Sequence, residues 1–164
     1  MSTRVSTTIP LDRMGVLIGR EGEIKAKVED AFRVQLLVQS QSGVVEIVPR
    51  QDSEDPTTVL RARDVVLAMG RGFSPERALQ LVDDDIVLDI IDLRETFGKN
   101  DRDIARLKGR VIGREGKIRR LIEEMTDAKV SVYGHTISML GEYEHVNAAS
   151  PLAFPHPRGA AEPA

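Results

Sequence analysis

The chain contains no cysteine and no tryptophan, only 4% of its residues are aromatic, and its apolar runs are short. Without cysteine there is no disulfide framework, no thiol nucleophile and no Cys-ligated zinc. The longest apolar stretches, such as Ile86 to Leu93, are broken by aspartate and fall far short of the ~20 residues that a membrane-spanning helix needs. Met1 to Pro10 lacks the apolar core of a signal peptide, so a cytoplasmic protein with no membrane partner is expected. What is present is 164 residues, 41% hydrophobic and 30% charged, the composition of a soluble globular protein. That length suits one ordinary domain or two small ones. A net charge of -3 and a pI of 5.7 argue, as global sums, against a nucleic-acid partner.

An internal repeat reorganises this picture. Gly15-Val-Leu-Ile-Gly-Arg-Glu-Gly-Glu-Ile24 recurs as Gly109-Arg-Val-Ile-Gly-Arg-Glu-Gly-Lys-Ile118, with seven of ten positions identical at an offset of 94. That offset is too long for a solenoid repeat of ~20 to 50 residues and implies two copies of one small domain. Leu11, Met14 and Ile18 before the first loop, and Ile104, Leu107, Val111 and Ile112 before the second, follow helical spacing. After the loops, Ile24, Val28, Ala31 and Phe32 match Ile118, Leu121, Ile122 and Met125, so a second helix follows each loop. Alternating β-branched runs then predict strands at Val34–Val38 and Val44–Val48, and at Val130–Tyr133 and Thr136–Leu140. Arg4–Ile9 and Ile86–Leu93 read as the opening strands, the second followed by a polar, Gly-containing insertion over roughly Arg94 to Asp101. In the first copy a helix from about Pro56 to Met69 completes the unit, and Ser74-Pro75 starts another that runs through Val82. In the second copy Pro151, Pro155, Pro157 and Pro163 interrupt the corresponding segment.

The Gly-x-x-Gly loops carry the chemistry. Glycine tolerates left-handed backbone angles and, lacking Cβ, lets a sugar-phosphate chain approach the main chain closely. The helix that follows points free N–H groups at the same place, which favours an anion. Arg20 and Arg114 add charge-assisted donors for phosphate. Other phosphate loops fail on spacing: a Walker A loop needs glycine where Val111 stands, and the pattern here is G-x-x-x-G-x-x-G rather than G-x-G-x-x-G.

Ile18-Gly-Arg-Glu-Gly-Glu-Ile24 and Val111-Ile-Gly-Arg-Glu-Gly-Lys-Ile118 resemble the signature of the KH domain, whose loop clamps about four nucleotides of single-stranded RNA. The strand and helix that follow the core resemble the type I form. Arg106-Leu-Lys-Gly-Arg-Val-Ile-Gly-Arg-Glu-Gly-Lys-Ile-Arg-Arg120, with Tyr133-Gly-His-Thr-Ile-Ser-Met-Leu-Gly141, resembles the archaeal and eukaryotic ribosome-biogenesis family of the Krr and partner-of-Nob-one type, over roughly Thr3 to Asn147. The resemblance implies binding of rRNA near the 3′ end of the small ribosomal subunit, with an endonuclease or other assembly factors as partners. It also implies a final helix in the second domain, from which the proline-rich segment departs.

Charge separates the copies. Arg106, Lys108, Arg110, Arg114, Lys117, Arg119 and Arg120 stand against Glu115 alone, a local balance of +6, whereas Asp12 to Arg33 balances to zero. The second copy is therefore expected to lead phosphate binding. The bland alternative for Arg119 and Arg120 is a solvated face pairing with Glu123 and Glu124 at i+4. Asp83-Asp-Asp85 with Asp89 and Asp92 reads as a charged turn and a protected strand edge rather than a metal cluster. His135, His145 and His156 have no ligand spacing, and no nucleophile–base constellation stands out. The scarcity of aromatics suits bases lying on aliphatic side chains better than an OB or RRM stacking platform. Ile18, Ile24, Val34, Ile112, Ile118 and Val130 are candidates for that floor, with core packing the competing role for each.

The expected fold is α+β, two tandem type I KH domains, each a three-stranded sheet with helices on one face. The first spans 1–82 and the second 83–149, the latter lacking its last helix, followed by a disordered Pro/Ala-rich tail at 150–164. The expected activity is non-catalytic, single-stranded RNA binding without cofactor or metal, through Gly19, Arg20, Glu21, Gly22 and Lys25 in the first copy. In the second it is Lys108, Arg110, Ile112, Gly113, Arg114, Glu115, Gly116, Lys117 and Arg120. The alternatives are a KH regulator of translation or transcript stability, and a protein-interaction scaffold that has lost RNA binding.

Overall fold

The computed structural model describes residues 4–51, 55–98 and 100–153, except the side chains of Thr96 and Phe97. The chain divides into two compact units, Met1–Asp84 and Asp85–Ala164.

In the first unit, β1 (Val5–Thr8) is followed by a 3-10 turn and α1 (Met14–Ile18), the glycine loop, α2 (Glu23–Phe32), β2 (Val34–Gln39), β3 (Val44–Pro49) and α3 (Thr57–Gly70). The antiparallel sheet has the order β1-β3-β2, with Thr7 opposite Val45 and Leu36 opposite Ile47. Val34 and Leu36 alternate with exposed Gln35 and Leu37, so one face of β2 enters the core. There they join buried Leu17, Val28, Phe32 and Val66 from the helices.

Two polar devices fix helix ends in this unit. The Asp55 carboxylate accepts from the Thr57 N–H at 2.9 Å and the Thr57 hydroxyl at 2.6 Å, and these bonds hold its pKa below the usual value. Arg13 donates to the carbonyls of Met69 at 2.7 Å and Phe73 at 2.9 Å, tying the start of the loop-bearing helix to the end of α3. A short α4 (Pro75–Ala78), N-capped by Ser74, follows.

The second unit repeats the order: β4 (Ile86–Asp92), α5 (Leu93–Phe97), α6 (Asp101–Ile112), the glycine loop, α7 (Lys117–Thr126), β5 (Lys129–Tyr133), β6 (Thr136–Glu142) and α8 (Tyr143–Ala153). Its sheet has the matching order β4-β6-β5, antiparallel throughout. Its core is built from Leu93, Ile104, Leu107, Val111, Ile122, Val130, Ile137, Met139 and Val146.

Two expectations are corrected here. The second unit does not lack its last helix: α8 leaves β6 directly and buries Val146, Ala149 and Ala153 on one side. Pro151 falls in its last turn, where the missing N–H would have served only the exposed Asn147. Burial of the apolar side outweighs the loss of one solvent-side bond. Residues 150–153 are thus helical, and the rest of the expected tail, 154–164, lies outside the described residues. Within the polar insertion the Asp92 carboxylate accepts from the Arg94 N–H at 2.9 Å and caps α5.

Candidate nucleic-acid interface

Both glycine loops adopt the same backbone. Gly19 and Gly113 have φ 74 and 71 with ψ near 180°, Glu21 and Glu115 sit in the left-handed region at φ 55, and Gly22 and Gly116 follow at φ 77 and 74. Within each loop the second glycine donates to the carbonyl of the first at 3.3 Å. The sequence repeat is therefore a repeat of conformation.

The two glycines of a loop do different work. A Cβ on Gly113 would lie 2.9 Å from the Ile118 backbone nitrogen, and one on Gly19 would lie 2.8 Å from that of Ile24. The first glycine is thus required by packing against the helix that follows. At the second glycine no side chain caps α2 or α7; the first N–H of each helix, of Glu23 and of Lys117, donates to the carbonyl of Arg20 and of Arg114 within the loop. Nothing lies within 4 Å of a Cβ built on Gly22. On Gly116 the neighbours are guanidinium atoms alone: Arg120 Nη1 at 3.1 Å and Arg119 Nη2 at 4.0 Å. An anion reaching the second loop meets positive charge that the first loop does not present.

Arg120 is held in that position by donating to the Glu115 carbonyl at 2.8 Å. Arg110, Arg114, Glu115 and Lys117 are exposed around the loop, as are Arg20 and Glu21 in the first copy. Ile112 is half-buried and Ile118 exposed beside the second loop. Val34 and Val130, candidates for a groove floor, are instead core residues at 0% and 1% exposure, because strand alternation turns them toward the helices.

Lys25 and Arg119 stand at equivalent positions and share an architectural role. Lys25 Nζ lies 3.1 Å from Glu29 and Arg119 Nη1 lies 3.0 Å from Glu123. The two carboxylates accept from the strand N–H groups of Leu36 and Val130, each at 2.8 Å. Each unit thus braces its second helix against its edge strand. Arg119 additionally reaches the Val130 carbonyl at 3.4 Å, so its guanidinium spans from the loop to the edge strand. The i,i+4 pairing was visible in the sequence; the strand contact depends on tertiary structure. Replacing Glu123 by alanine orphans a strand N–H and a largely buried arginine, and should cost about 2–3 kcal/mol in urea denaturation. Glu124→Ala on the exposed side should cost under ~0.5 kcal/mol.

The sequence reading also missed a cavity in the second unit. About 260 Å³ in volume, it is lined by Arg94, Asp101, Ile104, Lys108, Gly134 and His135. Lys108 therefore faces this cavity, beside α5.

Residues 87–151 match the model of the eukaryotic type KH domain, KH-domain type I. A KH domain-containing protein of Methanocaldococcus jannaschii is 50% identical over 141 residues, covering 86% of this chain and 61% of that protein. The RNA-binding protein pno1 of Dictyostelium discoideum is 24% identical over 143 residues, covering 87% and 60%. The chain thus spans about three fifths of the length of these curated relatives. Among solved structures, Dim2p of Pyrococcus horikoshii superposes with a TM-score of 0.81 and 40% identity over 96% of this chain and 95% of that one, and the same organism's a/eIF2alpha–Dim2p–rRNA complex with a TM-score of 0.82 and 40% identity over 98% and 90%. With that identity over nearly the whole of both chains, and with a type I KH match in its second unit, the chain belongs to the Pno1/Dim2 family of KH-domain proteins.

Proposed function

We propose that this chain is a non-catalytic, single-stranded RNA-binding protein of two tandem type I KH domains that acts in small-subunit rRNA maturation and ribosome assembly. The second loop, Gly113 to Gly116, leads, with Arg110, Lys117 and Arg120 on phosphates. The first loop, Gly19 to Gly22, assists or serves as scaffold. The observation that carries this reading is the space over Gly116, bordered by two guanidinium groups at the start of α7, which no side chain caps. Family membership supports it, as does the rRNA in the complex of the Pyrococcus relative. An endonuclease partner and a cytoplasmic location belong to the same proposal.

A protein-interaction scaffold is the second reading, favoured by the exposed carboxylates of Glu21 and Glu115 at the loop tips. Titration of the folded chain with short single-stranded RNAs drawn from the 3′ region of small-subunit rRNA separates the two. Saturable binding is the expected result; no binding to any of them would leave the scaffold.

A further inference from the structure

The helices that follow the two glycine loops differ on their outer sides. In α7, Ile118, Leu121 and Met125 are 39%, 47% and 67% exposed and recur at i, i+3 and i+7, the spacing of a two-helix seam. The buried residues of the same helix are Ile122 and Thr126, so the stripe lies outside the core that holds α7 in place. The equivalent positions of α2 are Ile24, Lys27 and Ala31. There Ile24 is half-buried, and Lys27 Nζ stands 3.7 Å from the Glu23 carboxylate. One copy closes this side with an ion pair, and the other leaves it apolar.

We infer that the α7 stripe is a self-association surface, on which α7 of a second copy of this chain lies antiparallel. Charge selects that occupant. Lys117 and Glu124 are exposed along one flank of the stripe, one heptad apart and opposite in sign. When two such helices pack antiparallel about a two-fold axis, like flanks meet, and Lys117 of each copy comes opposite Glu124 of the other. Among the described residues neither side chain has an ion-pair partner within its own chain. Leu121 lies at the centre of the contact. The first unit does not suit such pairing, since the residues matching Lys117 and Glu124 are Glu23 and Asp30, and like charges would meet across the axis. A stripe of one heptad buries far less than the ~1,600 Å² of a standard interface, so the dimer is weak, with a dissociation constant on the order of 100 µM. The inference is independent of RNA binding by the loop.

Sedimentation equilibrium on the full chain, over about 5 to 500 µM, tests the pairing through its dependence on concentration. The weight-average mass should rise from 18.1 kDa toward twice that value. A Leu121→Glu/Met125→Glu variant, altered only at exposed positions, should remain monomeric throughout, with its thermal unfolding showing that it is folded. Lys117→Glu and Glu124→Lys should each weaken the dimer at least about fivefold, and the doubly reversed Lys117→Glu/Glu124→Lys chain should return to within about twofold of the unaltered one, because the opposite charges again face each other across the axis. A chain that is monomeric at the highest concentration would overturn the proposal and leave the stripe to a helix of another protein. Association that survives the Leu121→Glu/Met125→Glu change, or charge reversals that do not rescue each other, would overturn it as well.

Discussion

Replacing Arg114 and Glu115 together by aspartate is expected to weaken binding of single-stranded RNA at least tenfold, and on the order of a hundredfold, without unfolding the second unit. Both side chains are exposed, and Glu115 already occupies the left-handed region at φ 55, which aspartate tolerates. The loop should therefore keep its shape. The loss comes from exchanging a cation for an anion at the place where phosphate enters, where charge-assisted hydrogen bonds contribute about 1.5–3 kcal/mol each. The matching change at Arg20 and Glu21 should cost less, because the space over Gly22 has no cationic neighbour within 4 Å and the space over Gly116 has two. Equal losses at the two loops, measured by anisotropy with one RNA, would contradict the assigned asymmetry.

The second large effect concerns the fold itself. Gly113→Ala should destabilise the second unit by about 3 kcal/mol or more, because φ 71 with ψ 177 is a conformation that side chains avoid and the new Cβ would lie 2.9 Å from the Ile118 backbone nitrogen. Relief would require moving the start of α7. Gly116→Ala meets only the ends of arginine side chains, which can swing aside, and φ 74 with ψ 15 costs a side chain about 1–2 kcal/mol. That variant should stay folded and bind RNA more weakly, since its methyl group occupies the phosphate approach. Urea denaturation together with anisotropy separates the structural glycine from the binding one; the reverse pattern would refute the division of roles.

The parts of this architecture that were legible in the sequence are those fixed locally. The loops announce themselves because a backbone with three positive-φ residues in four positions admits few sequences, and Gly19 to Gly22 and Gly113 to Gly116 spell the same one. Helix and strand order followed from side-chain periodicity. Tertiary effects escaped that reading. Pro151 suggested a broken helix, yet its position in the last turn of α8 and the burial of Val146, Ala149 and Ala153 make it tolerable. Val34 and Val130 were indistinguishable from groove residues because β-branched residues suit either place, and only the strand register sends them inward. Lys25 and Arg119 read as surface cations on a helix, while the strand N–H groups that share their carboxylate partners come from seven residues further along the chain. Arg94 and His135 lie about forty residues apart in sequence and meet only because α5 packs beside the β5–β6 turn.

The net charge of -3 pointed away from nucleic acid, whereas the local charge around the second loop is +6, and a ligand responds to the local field. The dependence of single-stranded RNA affinity on salt measures that field at the binding site. Each neutralised phosphate contributes about -0.7 to the slope of log affinity against log salt. With about four nucleotides held by the second loop, the account predicts a slope near -3 for the unaltered chain. A slope near zero at any measurable affinity would contradict the phosphate clamp on which the account depends.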